Sequence, residues 1–168
     1  MKSIFILFLV LLSGSLAAQT GTQIGSAEIT FVYLANDVDG SIAGFSSSST
    51  IDLDNPTNSK FKGAVATKTL KSGNFLRDWS LKGRKYFDTD TYPRSTFEST
   101  SITETSDGFS VAGNLTIKKT TKPVTIDFKL DGKKLTGTTT LFSSDYGINV
   151  KKKKEDNKVS VKMAFVLK

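Results

Sequence analysis

The sequence predicts an all-β fold, an antiparallel barrel of about eight strands with a short helical insertion at about residues 72–92. Three observations predict it: apolar and polar residues alternate with a period of two, Asp-Gly pairs separate alternating segments, and one aromatic-rich segment breaks the pattern. Successive side chains of a strand point to opposite faces of a sheet. The alternation therefore indicates strands with one apolar face.

Three segments show this alternation most clearly. Their apolar positions are Phe109, Val111, Leu115 and Ile117; Val124, Ile126, Phe128 and Leu130; and Val159, Val161, Met163, Phe165 and Leu167. Further strands are predicted at residues 27–34, 40–53, 61–67, 94–103 and 135–143, where β-branched and aromatic residues are frequent.

Asp-Gly pairs connect the predicted strands. Asp39-Gly40, Asp107-Gly108 and Asp131-Gly132 suit the positive φ angles of tight hairpin turns, so the sheet is expected to be antiparallel and mostly sequential. About eight such strands form either a sandwich or an up-and-down barrel. We favour the barrel, which at this size is just wide enough to hold one small ligand.

The insertion contains large aromatic side chains. Phe75, Leu76, Trp79 and Leu81 are compatible with a short helix, and Pro93 ends any helical continuation. Such a segment is suited to cover the mouth of a barrel. The alternative is that its aromatic residues only close off the core.

The N-terminus has the pattern of a secretory signal peptide. A positive start, an apolar run too short to span a bilayer and a small-residue zone predict a signal peptide at residues 1–18, with one domain at residues 19–168. The predicted location is periplasmic or secreted. A retained membrane anchor is the alternative.

Composition narrows the chemistry. The chain has no His and no Cys, so disulfides, a thiolate nucleophile, the commonest general base at neutral pH and the usual zinc ligands are excluded. The carboxylates of Asp52 and Asp54, and those of Asp88 and Asp90, do not complete a calcium loop. We expect neither an enzyme nor a metal site.

Basic residues are concentrated towards the C-terminus. From Lys118 onward there are 13 lysines against five acidic residues, and the densest cluster is Lys151–Lys154. This cluster either guides the protein to a transient contact with an anionic membrane surface or forms a solvated loop. Nucleic-acid binding is not expected, because the cluster lacks interleaved aromatic residues.

The central segment resembles the signature of the YceI-like polyisoprenoid-binding family. The matching residues are Gly73-Asn74, Arg77-Asp78, Leu81, Phe87-Asp88, Tyr92-Pro93, Phe97, Ser99, Gly113 to Ile117 and Thr121 to Val124, with a weaker match at Val38 to Ile42. The resemblance implies an extended lipocalin-like barrel that holds an isoprenoid chain or similar amphiphile in an apolar channel. It implies neither a covalent cofactor nor a catalytic group.

Three departures from the family pattern affect the predicted site. The family often has a His where this chain reads Tyr33-Leu34-Ala35-Asn36, and another in an R-D-x-H-L motif that here reads Arg77 to Leu81 without His. Lys118-Lys119 replaces the usual turn glycine. These changes bear on the ligand's headgroup and on one turn more than on the fold.

The candidate site residues are apolar positions on strands and on the insertion. Those predicted to line the channel are Trp79, Phe87, Phe97, Phe109, Val111, Leu115, Phe128 and Phe165. Arg77 and Asp78 either orient a headgroup or anchor the insertion.

The predicted function is an exported carrier for an isoprenoid or other long-chain amphiphilic lipid. One alternative is an extracellular structural or interaction module whose barrel is filled, and another is a carboxylate-dependent enzyme. Whether the barrel forms a homodimer stays open.

Overall fold

The structure is a computed structural model that describes residues 21–168, so the predicted signal peptide lies outside the described residues. Within that range, nine antiparallel strands form one curled sheet, and one short α-helix lies in the connection between the fourth and fifth strands. The elements are β1 (Ile24–Tyr33), β2 (Val38–Ile42), β3 (Ser46–Ser47), β4 (Lys62–Ala66), α1 (Phe75–Lys82), β5 (Arg94–Thr105), β6 (Gly108–Ile117), β7 (Thr120–Asp131), β8 (Lys134–Phe142) and β9 (Lys158–Leu167). The predicted all-β antiparallel barrel with a helical insertion is confirmed, with nine strands in place of about eight.

The order of strands across the sheet is β2-β1-β9-β8-β7-β6-β5-β4-β3. The prediction of one strand over residues 40–53 is therefore wrong, because β2 and β3 lie at opposite edges. The chain crosses between the edges at Ala43 and Gly44, and Gly44 has a φ of 67°, a conformation that glycine adopts without strain. The carbonyl of Ala43 accepts a hydrogen bond from the backbone N–H of Ala66 at 3.0 Å.

Two further backbone pairs connect the edges of the sheet. Ser41 and Lys71 exchange hydrogen bonds of 2.9 and 3.0 Å, and Thr22 and Ile51 exchange two of 2.8 Å. These bonds satisfy polar groups that an open sheet edge would leave unpaired. The barrel is thus closed by a few local contacts in place of a continuous ladder.

Two of the three Asp-Gly turns are confirmed. Asp107 lies in the turn that joins β5 to β6, and Gly108 begins β6. Gly132, with a φ of 55°, lies in the turn between β7 and β8. Asp39-Gly40 is not a turn but lies inside β2. There the glycine makes room for an aromatic ring, because a Cβ atom on Gly40 would lie 2.1 Å from Cζ of Phe31.

Buried apolar side chains fill one half of the barrel. The cluster consists of Ile51, Phe61, Phe109, Val111, Ile126, Phe128, Leu135, Met163, Phe165 and Leu167. The register places Phe109 opposite Phe128 and Leu135 opposite Phe165, near the β5–β6 and β7–β8 turns. Each large apolar side chain buried here contributes roughly 1.5–3 kcal/mol of transfer free energy. Most of the core packing therefore lies at this end of the barrel.

The β6–β7 hairpin contains a strained lysine. Ile117 pairs with Thr120 across the two residues of the turn, and Lys118 adopts a φ of 55°. This left-handed conformation brings the Cβ atom of an L-residue close to the backbone. The turn has therefore kept a glycine-like geometry although it contains no glycine.

We expect Lys118→Gly to stabilise the protein by about 0.5–1 kcal/mol, because glycine removes the Cβ strain of the left-handed conformation. Urea unfolding measures the change. Lys119→Gly is the matched control, since Lys119 is not in the left-handed region and should lose stability or stay unchanged. Equal effects of the two substitutions would contradict the assignment of strain to Lys118.

Candidate ligand cavity

An apolar cavity occupies the half of the barrel that the core leaves unfilled. Its volume is about 610 Å³, within the range of roughly 300–1,000 Å³ typical of small-molecule sites. Its lining includes the apolar side chains Phe31, Val38, Phe45, Phe61, Val65, Leu70, Leu81, Phe87, Phe97, Leu115, Ile117, Val124, Phe128, Leu141, Val159, Val161 and Phe165. Most of these positions lie towards the β1–β2 and β6–β7 turns, at the end of the barrel where α1 is inserted, whereas Phe61, Phe128 and Phe165 also belong to the core.

A cluster of phenylalanines forms the floor of the cavity. The rings of Phe61 and Phe128 stack with centroids 5.1 Å apart, and Phe45 stacks on Phe165 at 5.2 Å. Phe128 and Phe165 connect the two pairs at 5.9 Å. Such offset aromatic pairs are stabilising beyond their buried area. The floor is therefore a packed surface that closes the cavity on the side of the core.

The absence of a side chain at Gly137 makes room for the ring of Phe128 in this floor. Gly137 on β8 pairs directly with Phe128 on β7, and a Cβ atom at Gly137 would lie 2.4 Å from Cε1 of the ring. The ring thus lies flat over the backbone of the neighbouring strand. A residue larger than glycine at this position would push the ring away from β8.

The helix α1 lies at the mouth of the cavity. Its first turn is capped by Asn74, whose side-chain oxygen accepts a hydrogen bond of 3.0 Å from the backbone N–H of Arg77. Arg77 and Leu81 of the helix, and Phe87 beyond it, line the cavity. The insertion therefore lies over the mouth of the cavity.

Ser72 anchors the helix through Arg77 and Asp78. The Ser72 hydroxyl and backbone N–H donate to Oδ1 of Asp78 at 2.5 and 2.6 Å, and Nε of Arg77 donates to the Ser72 hydroxyl at 2.8 Å. Nη2 of Arg77 also donates to the Ser72 carbonyl. The hydrogen bond from the Ser72 side chain holds the pKa of Asp78 below its ordinary value. Both charged residues thus fix the insertion to a buried serine.

Two polar side chains at the β1–β2 turn also lie at this end of the cavity. Tyr33 and Asn36 line the cavity, and the Tyr33 hydroxyl donates to the Asp156 carbonyl at 2.5 Å. Burial, followed by the Asp156 carboxylate, raises the pKa of Tyr33. Tyr33 and Asn36 stand in the region where the resembling family often has His. The position of the missing His is the feature of the sequence that indicates a polar group here. Neither Tyr33 nor Asn36 is among the predicted site residues.

The structure brings five of the eight predicted apolar site residues to the cavity: Phe87, Phe97, Leu115, Phe128 and Phe165. It does not place Phe109 and Val111 there. Both point inward from β6, but they lie in the packed half of the barrel, 1% and 0% exposed. The alternation of apolar residues predicts which side chains point into the barrel, but it does not predict how far along the barrel each of them lies.

The predicted place of Trp79 in the channel is wrong. Trp79 is 75% exposed and projects from α1 away from the cavity. The helical rotation of 100° per residue puts it on the face opposite Arg77 and Leu81. An aromatic residue in a helical insertion can occupy either face, and composition does not distinguish them.

Further features of the described residues concern metals and membranes. Residues 21–168 contain no group of three or more acidic side chains placed to hold a metal ion. Over the same range, α1 is too short and too polar to cross a bilayer.

The curled antiparallel sheet, its internal cavity and its helical cover define the class of lipocalin-like barrels. The family model of the YceI-like domain matches residues 19–167, and the chain belongs to this family. A UPF0312 protein of Yersinia pestis (strain Pestoides F) is 39% identical over 93 residues, which are 55% of this chain and 48% of that protein. The chain thus spans about half the length of the curated relatives it matches.

Solved structures show the same fold at low sequence identity. Burkholderia cenocepacia BcnA is 20% identical, with a TM-score of 0.71 over 86% of this chain and 98% of its own. A polyisoprenoid binding domain from Saccharophagus degradans is 12% identical, with a TM-score of 0.53 over 88% of this chain and 97% of its own. These similarities confirm the predicted lipocalin-like barrel.

We expect Gly137→Ala to lower the free energy of unfolding by about 1–3 kcal/mol, because the new methyl group overlaps the Phe128 ring and overpacks the cavity floor. Urea unfolding measures the loss. Gly25→Ala is the matched control, since its nearest neighbour would be the Val166 carbonyl oxygen at 3.3 Å. A loss no greater than that of the control would contradict the packing of Phe128 on Gly137.

We expect Ser72→Ala to raise the pKa of Asp78 towards its ordinary value, because the Ser72 side chain makes the largest contribution to lowering it. NMR titration of the Asp78 carboxyl carbon measures this shift. Since the folded-state pKa is lowered, the stabilisation by this carboxylate is present above the ordinary value and is lost as the pH falls through the folded-state value. Ser80→Ala on the exposed side of α1 is the control, and an unchanged Asp78 titration in Ser72→Ala would disprove the anchoring role.

Proposed function

We propose that this protein is a carrier for an isoprenoid or other long-chain amphiphilic lipid, that it works after export to the periplasm or beyond the cell, and that it performs no catalysis. The observation that carries the proposal is the apolar cavity of about 610 Å³ inside the barrel. Membership of the YceI-like family and the fold shared with a polyisoprenoid binding domain support the ligand class. The identity of the lipid itself is part of the proposal.

The lining of the cavity suits a hydrocarbon chain. Burial of each methylene group contributes roughly 0.8 kcal/mol, and a chain needs no hydrogen-bonding partner along its length. Phe97, Leu115 and Val161 present such a surface from three strands. The aromatic floor at Phe128 and Phe165 sets how deep a chain can reach. A ligand in this site would be held by apolar contact over most of its length.

The polar end of an amphiphile would lie at the mouth. Arg77 has five N–H donors, and its Nε and Nη2 atoms bond Ser72. Its remaining donors, with the side chains of Tyr33 and Asn36, are among the polar groups that line this end of the cavity and are available to a headgroup. Asp78 is bound to Ser72 and serves the anchoring of α1. We therefore assign Arg77 both predicted roles, which are to orient a headgroup and to anchor the insertion. Asp78 is assigned the anchoring role alone.

The cavity also bears on the alternative of a filled structural module. Apolar side chains pack one half of the barrel and leave the other half lined but unfilled. Protein interiors are normally close-packed, with few voids larger than a water molecule. A void of this size therefore favours a binding function over a purely structural one.

Native mass spectrometry of the protein recovered after export from a bacterial host tests the proposal, with organic extraction to identify any retained lipid. We expect Val161→Phe, which fills the cavity, to reduce the lipid-bound fraction severalfold. Val166→Phe is the matched control on the same strand, because Val166 is 50% exposed and points outward. Thermal unfolding of both variants verifies that they fold.

An unliganded mass that stays unchanged after addition of quinones, polyprenyl phosphates and fatty acids would contradict the proposal. So would equal lipid occupancy in the two valine variants. In either case the function would have to lie on the outer surface of the barrel.

A further inference from the structure

One face of α1 exposes three large apolar side chains. Phe75, Leu76 and Trp79 are 80%, 72% and 75% exposed. They share the face of the helix opposite Arg77 and Leu81, so contact with the barrel does not account for them. Clustered apolar side chains on a surface mark an interaction site far more often than scattered ones do. We call Phe75, Leu76 and Trp79 the apolar face of α1.

Positive charge surrounds this face. Residues 68–94 contain seven lysines or arginines and three aspartates. Lys82 is the last residue of α1, and Arg84 and Lys85 follow it, whereas Asp90 forms an ion pair with Lys68 at 2.9 Å and Asp78 is bound to Ser72. The charges that remain at the surface beside the apolar face are therefore mainly positive.

The topology adds further basic loops at the same end of the barrel. The β6–β7 turn contributes Lys118 and Lys119. The β8–β9 connection contributes Lys151–Lys154 beside Asp145, Glu155 and Asp156, and Lys154 forms an ion pair with Asp145 at 2.6 Å. The β1–β2 turn adds Leu34, which is 46% exposed. The opposite end bears the acidic residues Asp52, Asp54, Glu104, Asp107 and Asp131, together with the basic residues Lys60, Lys133, Lys134 and Lys168. The basic excess of the protein thus lies at the end that holds the cavity.

Asn157 gives the lysine loop a fixed backbone. It is 1% exposed, and its Nδ2 atom donates to the carbonyls of Lys151 and Lys153 at 2.9 and 2.6 Å. Its Oδ1 atom accepts from the backbone N–H groups of Val150 and Lys151, both at 2.9 Å. Lys151, Lys152 and Lys153 project from this ordered loop into solvent. The positive surface is therefore built on a supported backbone.

We propose that the cavity end of the barrel docks on the surface of an anionic lipid bilayer, with the apolar face of α1 entering the headgroup region. Trp and Phe are favoured at membrane interfaces, and amphipathic helices with basic flanks bind anionic lipids. Charge complementarity selects a bilayer as the partner over a second copy of this basic chain. The inference rests on the proposed function, since docking at this end places the cavity mouth where a lipid can pass between bilayer and barrel.

Trp79 is the only tryptophan of the chain, so its fluorescence reports on α1 directly. The test mixes the exported protein with vesicles of phosphatidylcholine alone or of phosphatidylcholine with phosphatidylglycerol. We expect the emission to shift to shorter wavelength with the anionic vesicles, and high salt to weaken the binding. Vesicle flotation measures the bound fraction independently.

Variants test each part of the surface. Phe75→Ser with Leu76→Ser retains Trp79 and should abolish the fluorescence shift, whereas Leu53→Ser, an exposed leucine at the opposite end, should leave it unchanged. Replacement of Lys82, Arg84 and Lys85 by Gln should weaken binding about fivefold for each charge removed. Lys133→Gln with Lys134→Gln at the opposite end is the charge control.

Several outcomes would overturn the docking proposal. They are absence of binding to anionic vesicles, equal binding to neutral and anionic vesicles, and a fluorescence shift that follows only dimer formation in light scattering. The lipid content of each variant, measured by native mass spectrometry, separates this test from that of the proposed function. A protein that carries lipid yet ignores vesicles would disprove docking and leave the carrier function intact.

Discussion

The crossing of the chain from β2 to β3 is the constraint on which the barrel depends. These consecutive strands lie at opposite edges of the sheet, so the short connection at Ala43 and Gly44 draws the edges together. Hydrogen bonds between Ser41 and Lys71 close the seam beside it. If the edges separated, the cavity would lose its enclosing wall, and α1, which follows Lys71 closely, would lose its position over the mouth.

The closed barrel divides into two halves with different physical tasks. In one half, large side chains pack around Phe109 and Phe128 and supply apolar burial. In the other half, the inward side chains line a space and do not meet across it. The phenylalanine floor belongs to both halves, because it closes the core and also limits the cavity. Stability and binding capacity therefore come from different stretches of the same strands.

The helix α1 couples the cavity to the outer surface. Its inner side bears Arg77 and Leu81 towards the cavity, and its outer side bears Phe75 and Trp79 towards solvent. Hydrogen bonds to Ser72 fix the orientation of both sides. A shift of this helix would therefore change the mouth and the exposed apolar surface together, which suits the carrier function that we propose.

The sequence by itself determined most of the strands, two of the three Asp-Gly turns, the helical insertion and the inward positions such as Leu115 and Phe165, because period-two alternation and turn chemistry are local properties. Only the tertiary structure decided that residues 40–53 split between two sheet edges and that Phe109 lies in the core while Leu115 lines the cavity. It also decided which face of α1 holds Trp79. These outcomes depend on how far along the barrel the core is packed and on contacts between residues distant in sequence, which a local pattern does not encode.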